Sequence, residues 1–254
     1  GLTVARAIAA RSPGERLVYL GDTARVPYGT RSPHTVLRYA RSCARHLARH
    51  DIKLLVVACN TVSAVALPML RVELDVPVLG VIGPGARAGV RASPTHRIGV
   101  LATDGTVGAY PRAVAAESTR AEVVQRSAPL LVPLVEEGWL EGEVPPLVVR
   151  RYLTPLVDAG VDVLLLGCTH YPLLAPVIAA EAAALSGQPL AVVDSAEATA
   201  DELATLLEER RLGAPAGPGD LTLRVTDLPA RFADVAARFL GRPVDGLDVE
   251  AVDL

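Results

Sequence analysis

Lysine is nearly absent from this chain. Lys53 is the single lysine among 25 basic residues, and the other 24 are arginines. An enzyme that forms a Schiff base needs a lysine amine. Lys53 opens the predicted strand 53–58, away from the carboxyl end of the strand, where ligand sites in parallel sheets usually form. The composition therefore argues against Schiff-base chemistry.

Cysteine is also scarce. The chain has three cysteines, an odd number and too few for a disulfide framework, so we expect free thiols in a reducing compartment. The five histidines are scattered and do not pair at metal-ligand spacing. The sequence also lacks the glycine fingerprint of a dinucleotide-binding protein. We therefore expect an activity that needs neither a metal nor an organic cofactor.

Basic tracts and long apolar runs are missing as well. The formal net charge is −3, and nothing resembles the electrostatic footprint of a nucleic-acid-binding protein. No apolar run is long enough to cross a bilayer, and the chain does not open on a signal peptide. These absences predict a cytoplasmic protein that binds neither nucleic acid nor membrane.

Short apolar runs alternate with helical patterns along the chain. This alternation is typical of an α/β fold with mostly parallel strands. Six strands are predicted, at 16–22, 53–58, 77–82, 97–103, 161–167 and 190–195. In the stretch 34–49 apolar residues recur at helical spacing, which predicts a helix that packs Cys43 into the core as a structural residue.

The chain also contains an internal echo. Residues 51–68 align without gaps to residues 160–177, at an offset of 109 residues from Cys59 to Cys168. Each copy predicts a strand that ends in a cysteine and leads into a helix. The echo predicts two similar α/β domains related by a pseudo-twofold axis. Their predicted ranges are 1–82 with 193–254, and 83–192.

Both echoed cysteines lie where ligands bind in open α/β sheets, outside the carboxyl ends of strands. Each precedes a predicted helix, whose positive N-terminal end favours a thiolate over a thiol. Asn60 and Thr61 follow the first cysteine, and Thr169 and His170 follow the second, adding groups that form hydrogen bonds. A single buried cysteine is more often a core residue, but two at equivalent positions favour a functional pair.

Three chemistries could use such a pair. A redox disulfide couple lacks the expected C-x-x-C spacing. A cysteine hydrolase built on Cys168 and His170 leaves Cys59 unexplained. Proton transfer on both faces of one carbon, which racemisation requires, uses both thiols and explains the duplication. Without a Schiff base, hydrogen bonds and fixed dipoles must stabilise the carbanion.

Several longer motifs stand in a recognisable order. They are YLGDTARVPYGTRS (19–32), ACNTVSA (58–64), GVIGPGA (80–86), LVPLVEEG (131–138), GCTHYPLL (167–174) and VVDSAEATA (192–200). With them the sequence resembles, over nearly its whole length, the cofactor-independent glutamate racemases of the aspartate/glutamate racemase superfamily.

This resemblance implies an active site in the cleft between two α/β domains. It also implies interconversion of L- and D-glutamate, a small-molecule substrate, to supply D-glutamate for peptidoglycan and so for cell-wall biogenesis and cell shape. By resemblance, Cys59 and Cys168 are the catalytic bases for D- and L-glutamate, and His170 tunes Cys168. The implied substrate contacts are Tyr28, Gly29, Asn60, Thr61, Thr169, His170 and Glu136. A homodimer is left open.

Two features depart from the family pattern. The family begins with a strand that ends in an Asp-Ser pair, and this N-terminal strand is missing before Gly1. The chain is therefore expected to be a poor racemase, and the alternative function is a catalytically silent ligand-binding protein of the same fold. The loop 101–114 is about two residues shorter than is usual in the family, which leaves contacts by Thr103 and Thr106 open.

Overall fold

The computed structural model describes residues 1–215, 217–241, 243 and 249–254. The chain forms two compact units: Gly1–Gly80 together with Thr199–Leu254, and Val81–Ala198. Within the described ranges, no helix is long and apolar enough to span a membrane.

Helices and strands alternate along both units. The first unit begins with α1 (Leu2–Arg11), β1 (Leu17–Gly21), α2 (Pro33–Ala48), β2 (Leu55–Val57), α3 (Asn60–Glu73) and β3 (Val78–Gly80). The second unit holds α4 (Ile82–Ala92), β4 (Arg97–Ala102), α5 (Asp104–Val107), α6 (Tyr110–Glu117), β5 (Glu122–Ser127), α7 (Leu131–Glu136), α8 (Val144–Asp158), β6 (Val163–Gly167), a 3-10 helix (Tyr171–Leu174), α9 (Ala175–Ser186) and β7 (Ala191–Asp194). Helix α10 (Ser195–Glu209) leads back to the first unit, which adds β8 (Leu221–Val225), α11 (Pro229–Leu240) and β9 (Val249–Ala251).

The second unit is built on a four-stranded parallel sheet with the order β5-β4-β6-β7. Every residue of β6 is buried, and so is every residue of β4 except Arg97. Near-continuous apolar strands are expected at the centre of a parallel sheet, because helices cover it. The register pairs Ala102 of β4 with Gly167 of β6, so the carboxyl ends of these two strands lie side by side.

The first unit contains two parallel sheets, with orders β1-β8-β9 and β2-β3. A small core joins α2, α3 and the second of these sheets. Its buried residues are Val36, Ala40, Ala44, Leu55, Val57, Val62, Ala66, Leu70 and Val78. The α/β class with parallel sheets is therefore confirmed.

Cys43 lies on α2 but not deep in this core. It is half-buried, whereas its neighbour Ala44 is a buried member of this core. The Cys43 sulfur receives a hydrogen bond from Arg25, with Nη2 and Sγ 3.7 Å apart. The prediction that Cys43 packs into the core is wrong to this extent. Burial still raises the pKa of its thiol to about 11, so Cys43 stays protonated at neutral pH.

All six predicted strands form, but β5, β8 and β9 were not predicted. Strands β5 and β9 are edge strands, and their exposed faces carry polar residues instead of an apolar run. Strand β8 lies between β1 and β9, yet only two of its five residues are buried. Apolar runs thus mark strands of nearly continuous apolar sequence, edge strands such as β1 and β7 included, and they miss the three strands whose sequences are interrupted by polar residues.

Asp162, directly before β6, forms hydrogen bonds with the turn between α4 and β4. Its carboxylate accepts hydrogen bonds from the hydroxyls of Ser93 and Thr95 and from the Thr95 backbone N–H. Burial alone raises the pKa of Asp162, but these hydrogen bonds outweigh burial and hold it below its ordinary value. The ionised carboxylate therefore stabilises the fold.

Replacing Asp162 with asparagine is expected to lower the free energy of unfolding at pH 7 by about 1–2 kcal/mol, because hydrogen bonds to a charged acceptor are lost. A depressed pKa contributes stability above the unfolded pKa of about 4, and that contribution is lost as pH falls through the folded value. Denaturant unfolding should therefore separate Asp162→Asn from wild type at pH 7 and less so at pH 3. Asp158→Asn, an exposed change at the end of α8, is the control. Equal stability of wild type and Asp162→Asn at pH 7 contradicts this account.

Candidate active site

Cys59 occupies the N-cap position of α3, two residues after β2 ends. Its carbonyl accepts the Ser63 N–H at 2.8 Å, which closes the first turn of the helix. The Ser63 hydroxyl donates to the Val57 carbonyl at 2.9 Å and ties the helix start to the strand end. Cys59 therefore sits at the positive end of a helix dipole, as predicted, where a thiolate is favoured.

The first unit gathers several of the predicted contacts around this helix start. Asn60 and Thr61 are buried in the first turn of α3. Tyr28 packs against the same small core as Cys59. Its neighbour Gly29 is half-buried in the loop that follows β1. The structure thus brings Tyr28 and the Cys59 segment onto one core, although 31 residues separate Tyr28 from Cys59.

Cys168 follows β6 directly, but no α-helix begins beside it. Instead the Tyr171 N–H donates to the Cys168 carbonyl at 3.2 Å and closes a turn. Pro172 lies in the first turn of the 3-10 helix, and α9 begins only at Ala175. The prediction that a helix N-terminus directly follows this cysteine is therefore wrong, because the local sequence forms a turn and a short 3-10 helix first.

His170 supplies the positive charge beside Cys168. Its Nδ1 lies 3.7 Å from the Cys168 sulfur, and its Nε2 lies 2.6 Å from Oε1 of Glu136 at the end of α7. Burial lowers the pKa of His170, but the hydrogen bonds to Cys168 and Glu136 outweigh it and raise the pKa to about 9. His170 is therefore protonated at neutral pH and places a positive charge beside the Cys168 sulfur.

Two buried aromatic residues, which the sequence did not predict, pack beside the Cys168 segment. A Cβ atom on Gly167 would lie only 2.6 Å from Cε2 of Tyr110, which is fully buried. Tyr171 is also fully buried and donates to the Ala128 carbonyl at 2.8 Å. Residue 167 must therefore be glycine. The glycine directly before Cys168 was the one feature of the sequence that indicated this close packing.

Two threonines lie, like Cys168, at the carboxyl ends of the strands of this sheet. Thr103 directly follows β4, whose last residue pairs with Gly167. The hydroxyl oxygens of Thr103 and Thr106 are 3.4 Å apart, and the Thr106 N–H donates to the Thr103 carbonyl at 2.9 Å. Thr169 is buried next to the cysteine. The second unit thus places Cys168, Thr169 and Thr103 at the carboxyl ends of β4 and β6, with His170 and Glu136 beside them.

Comparisons with known proteins assign the chain to a family. Residues 2–203 match the family described as Asp/Glu/Hydantoin racemase. The chain belongs to this family. A glutamate racemase from Geobacter metallireducens is 49% identical over 95% of this chain and 89% of its own length.

Solved structures of the same family have the same fold. The structure of glutamate racemase isoform RacE1 from Bacillus anthracis has a TM-score of 0.90 at 35% identity, covering 100% of this chain and 93% of its own. A glutamate racemase from Francisella tularensis, solved in complex with D-glutamate, has a TM-score of 0.88 at 30% identity, covering 99% and 93%.

These findings confirm the resemblance drawn from the motifs. The family and the enzyme class, an amino-acid racemase, are as predicted. The alternative of a catalytically silent ligand-binding protein is not supported, since the relatives are named as racemases over nearly the full chain.

Proposed function

We propose that this chain interconverts L- and D-glutamate by proton transfer between the substrate Cα and two thiols, those of Cys59 and Cys168. The observation that carries the proposal is that each unit places one cysteine at the carboxyl end of a parallel strand, beside a positive charge. The dipole of α3 supplies that charge for Cys59, and the His170 imidazolium supplies it for Cys168. Relatives named glutamate racemase support the choice of substrate.

The proposed reaction needs one thiolate and one thiol on opposite faces of Cα. The thiolate takes the Cα proton and becomes a thiol, and the carbanion takes a proton from the opposite thiol, which becomes a thiolate. In the L-to-D direction Cys168 is the base and Cys59 the acid, and the reverse direction exchanges their roles.

The carbanion has no electron sink in this proposal, so fixed dipoles and hydrogen bonds must stabilise it. Backbone N–H groups at the start of α3 can receive a substrate carboxylate. Further contacts are proposed for Tyr28, Gly29, Asn60, Thr61, Thr169, His170 and Glu136. Of these, Glu136 also forms a hydrogen bond with His170.

The place of the reaction in the cell is part of the same proposal. A racemase of this kind supplies D-glutamate for peptidoglycan, which is made from cytoplasmic precursors. Incubating the purified chain with L-glutamate and following circular dichroism tests the activity. A signal that decays to zero as the two enantiomers equilibrate is expected. A constant signal from folded protein, or decay with L-aspartate in place of L-glutamate, contradicts the proposed substrate.

Racemisation is further expected to proceed without a metal or an organic cofactor. Two thiols and the fixed charges beside them carry the whole proton transfer in this proposal, so no step needs a Lewis acid or an imine. Enzyme dialysed against a chelator and treated with a carbonyl-trapping reagent should keep at least about half of its turnover of L-glutamate. Loss of turnover that added pyridoxal phosphate or a divalent metal restores contradicts this expectation.

A further inference from the structure

Asp22 forms the centre of a buried polar network at the end of β1. Its side chain is 7% exposed. The carboxylate accepts hydrogen bonds from Arg25 Nε at 2.8 Å, from the Thr226 hydroxyl at 3.0 Å and from the Tyr28 hydroxyl. A buried carboxylate is stable only when donors satisfy it. Each of these three donors therefore helps to fix where Asp22 sits.

Thr226 reaches this network from a distant part of the sequence. Strands β1 and β8 pair in parallel, with Gly21 opposite Val225, so the residues that follow them are neighbours. The Thr226 hydroxyl donates to Asp22 and accepts the Ala24 N–H at 2.9 Å. The Thr226 N–H donates to the Gly21 carbonyl at 3.1 Å. One residue thus forms hydrogen bonds with the strand end, through its backbone, and with the loop that follows, through its side chain.

The loop after β1 is held through its own side chains. The Arg25 guanidinium lies over the Tyr39 ring of α2, 4.5 Å from its centroid, and the Tyr28 and Tyr39 rings are 5.9 Å apart. Burial and the hydrogen bond to Asp22 raise the pKa of Tyr28 well above its usual range, so its phenol stays protonated. A phenol has one proton to donate, and that of Tyr28 goes to Asp22. The Tyr28 hydroxyl therefore anchors the loop.

We propose that Thr226 is a positioning residue, which acts through Asp22 to hold Tyr28 and Gly29 in place for substrate binding. The inference rests on the proposed function, in which Tyr28 and Gly29 contact glutamate. Thr226 lies outside the residues 2–203 that match the family. It acts on the binding loop and not on the thiols, so its loss weakens substrate binding and leaves proton transfer largely intact.

Kinetics of four single variants and one double variant test this assignment. Thr226→Val, which removes the hydroxyl and keeps the shape, is expected to raise KM for glutamate about 5–10-fold, as loss of one hydrogen bond would, with kcat within about 2-fold. Thr226→Ser restores the hydroxyl and should restore KM. Thr222→Val, four residues earlier and within β8, should match wild type. Tyr28→Phe should raise KM, and combining it with Thr226→Val should raise KM by less than the product of the two single effects.

Amide hydrogen exchange supplies a second readout that needs no substrate. Residues 25–31 should exchange faster in Thr226→Val than in wild type and Thr222→Val, because the loop opens more readily. An unchanged KM, a Thr226→Ser variant as impaired as Thr226→Val, KM effects of Thr226→Val and Tyr28→Phe that multiply, or unchanged exchange over 25–31 each overturns the inference. A folded wild type that leaves glutamate unracemised refutes the proposed function instead, and the exchange experiment then still decides whether Thr226 positions the loop.

Discussion

Cys168→Ala is expected to lower turnover of L-glutamate by about 10³-fold or more, since loss of a positioned acid–base group typically costs about 10²–10⁴-fold. Without the thiol, nothing removes the Cα proton from that face. Cys59→Ala should have an effect of the same size, because the carbanion then lacks a donor on the opposite face. Serine at either position should be nearly as damaging, since a hydroxyl is a far weaker acid than a thiol. Coupled detection of D-glutamate measures all four variants.

Cys43→Ala is the matched control for these cysteine variants. Cys43 is the third free cysteine, half-buried on α2, and its thiol stays protonated. This variant should keep turnover within about 3-fold of wild type, since it removes no proposed acid or base. Thermal melts of all three alanine variants exclude unfolding as the cause. Turnover retained by folded Cys59→Ala or Cys168→Ala contradicts the two-thiol mechanism.

His170→Asn is expected to give the second largest loss, about 10²-fold in kcat, at the low end of the range for a lost acid–base partner. The variant keeps a polar side chain but loses the imidazolium that lies 3.7 Å from the Cys168 sulfur. The equilibrium constant of a racemisation is one, so kcat/KM must fall by the same factor for L- and D-glutamate. The asymmetry is therefore expected in kcat: kcat from L-glutamate, for which Cys168 is the proposed base, should fall more than kcat from D-glutamate, and the KM ratio should change to compensate. Full saturation curves in both directions measure this difference, and an equal or smaller fall of kcat from L-glutamate contradicts the assignment of His170 to Cys168.

The pH dependence of kcat in Glu136→Gln tests whether Glu136 keeps His170 protonated beside Cys168. The Glu136 carboxylate helps to raise the pKa of His170 to about 9, so His170 carries its proton below that pH and loses it above. Wild-type kcat from L-glutamate should therefore fall as pH rises through about 9. A neutral glutamine supports the proton less well, so the fall should begin at lower pH in Glu136→Gln. Glu137→Gln, an exposed neighbour, should leave the pH profile unchanged. If kcat falls at the same alkaline pH in Glu136→Gln and in wild type, this role of Glu136 is contradicted.

Sequence patterns predicted the strands of nearly continuous apolar sequence, central and edge strands alike, and missed those that carry polar residues. Runs such as 161–167 are apolar because both faces of a central parallel strand are covered, so the run itself marks the strand and its end marks a site. Strands β5 and β9 lie at sheet edges, where solvated faces remove that signal. On α2, spacing alone did not distinguish the deep position of Ala44 from that of its neighbour Cys43.

The candidate site was predictable only where its residues are close in sequence. Cys59 with Asn60, and Cys168 with Thr169, stand at strand ends, and the internal echo marks both. Glu136 came from the family resemblance alone, because 34 residues separate it from His170 and only the fold brings them to 2.6 Å. The bond between Asp22 and Thr226 spans 204 residues. No local pattern encodes such a contact, since it depends on the pairing of β1 with β8.

Deuterium transfer from solvent tests the central claim, that two thiols act on opposite faces of one carbon. L-glutamate is incubated with the enzyme in deuterated water, and Cα deuterium is measured in both enantiomers at low conversion. The account predicts that each molecule of D-glutamate carries deuterium, because the returning proton comes from the solvent-exchanged Cys59 thiol, while the remaining L-glutamate keeps its original hydrogen. D-glutamate that retains the substrate hydrogen, or L-glutamate that gains deuterium as fast as D-glutamate forms, would contradict it.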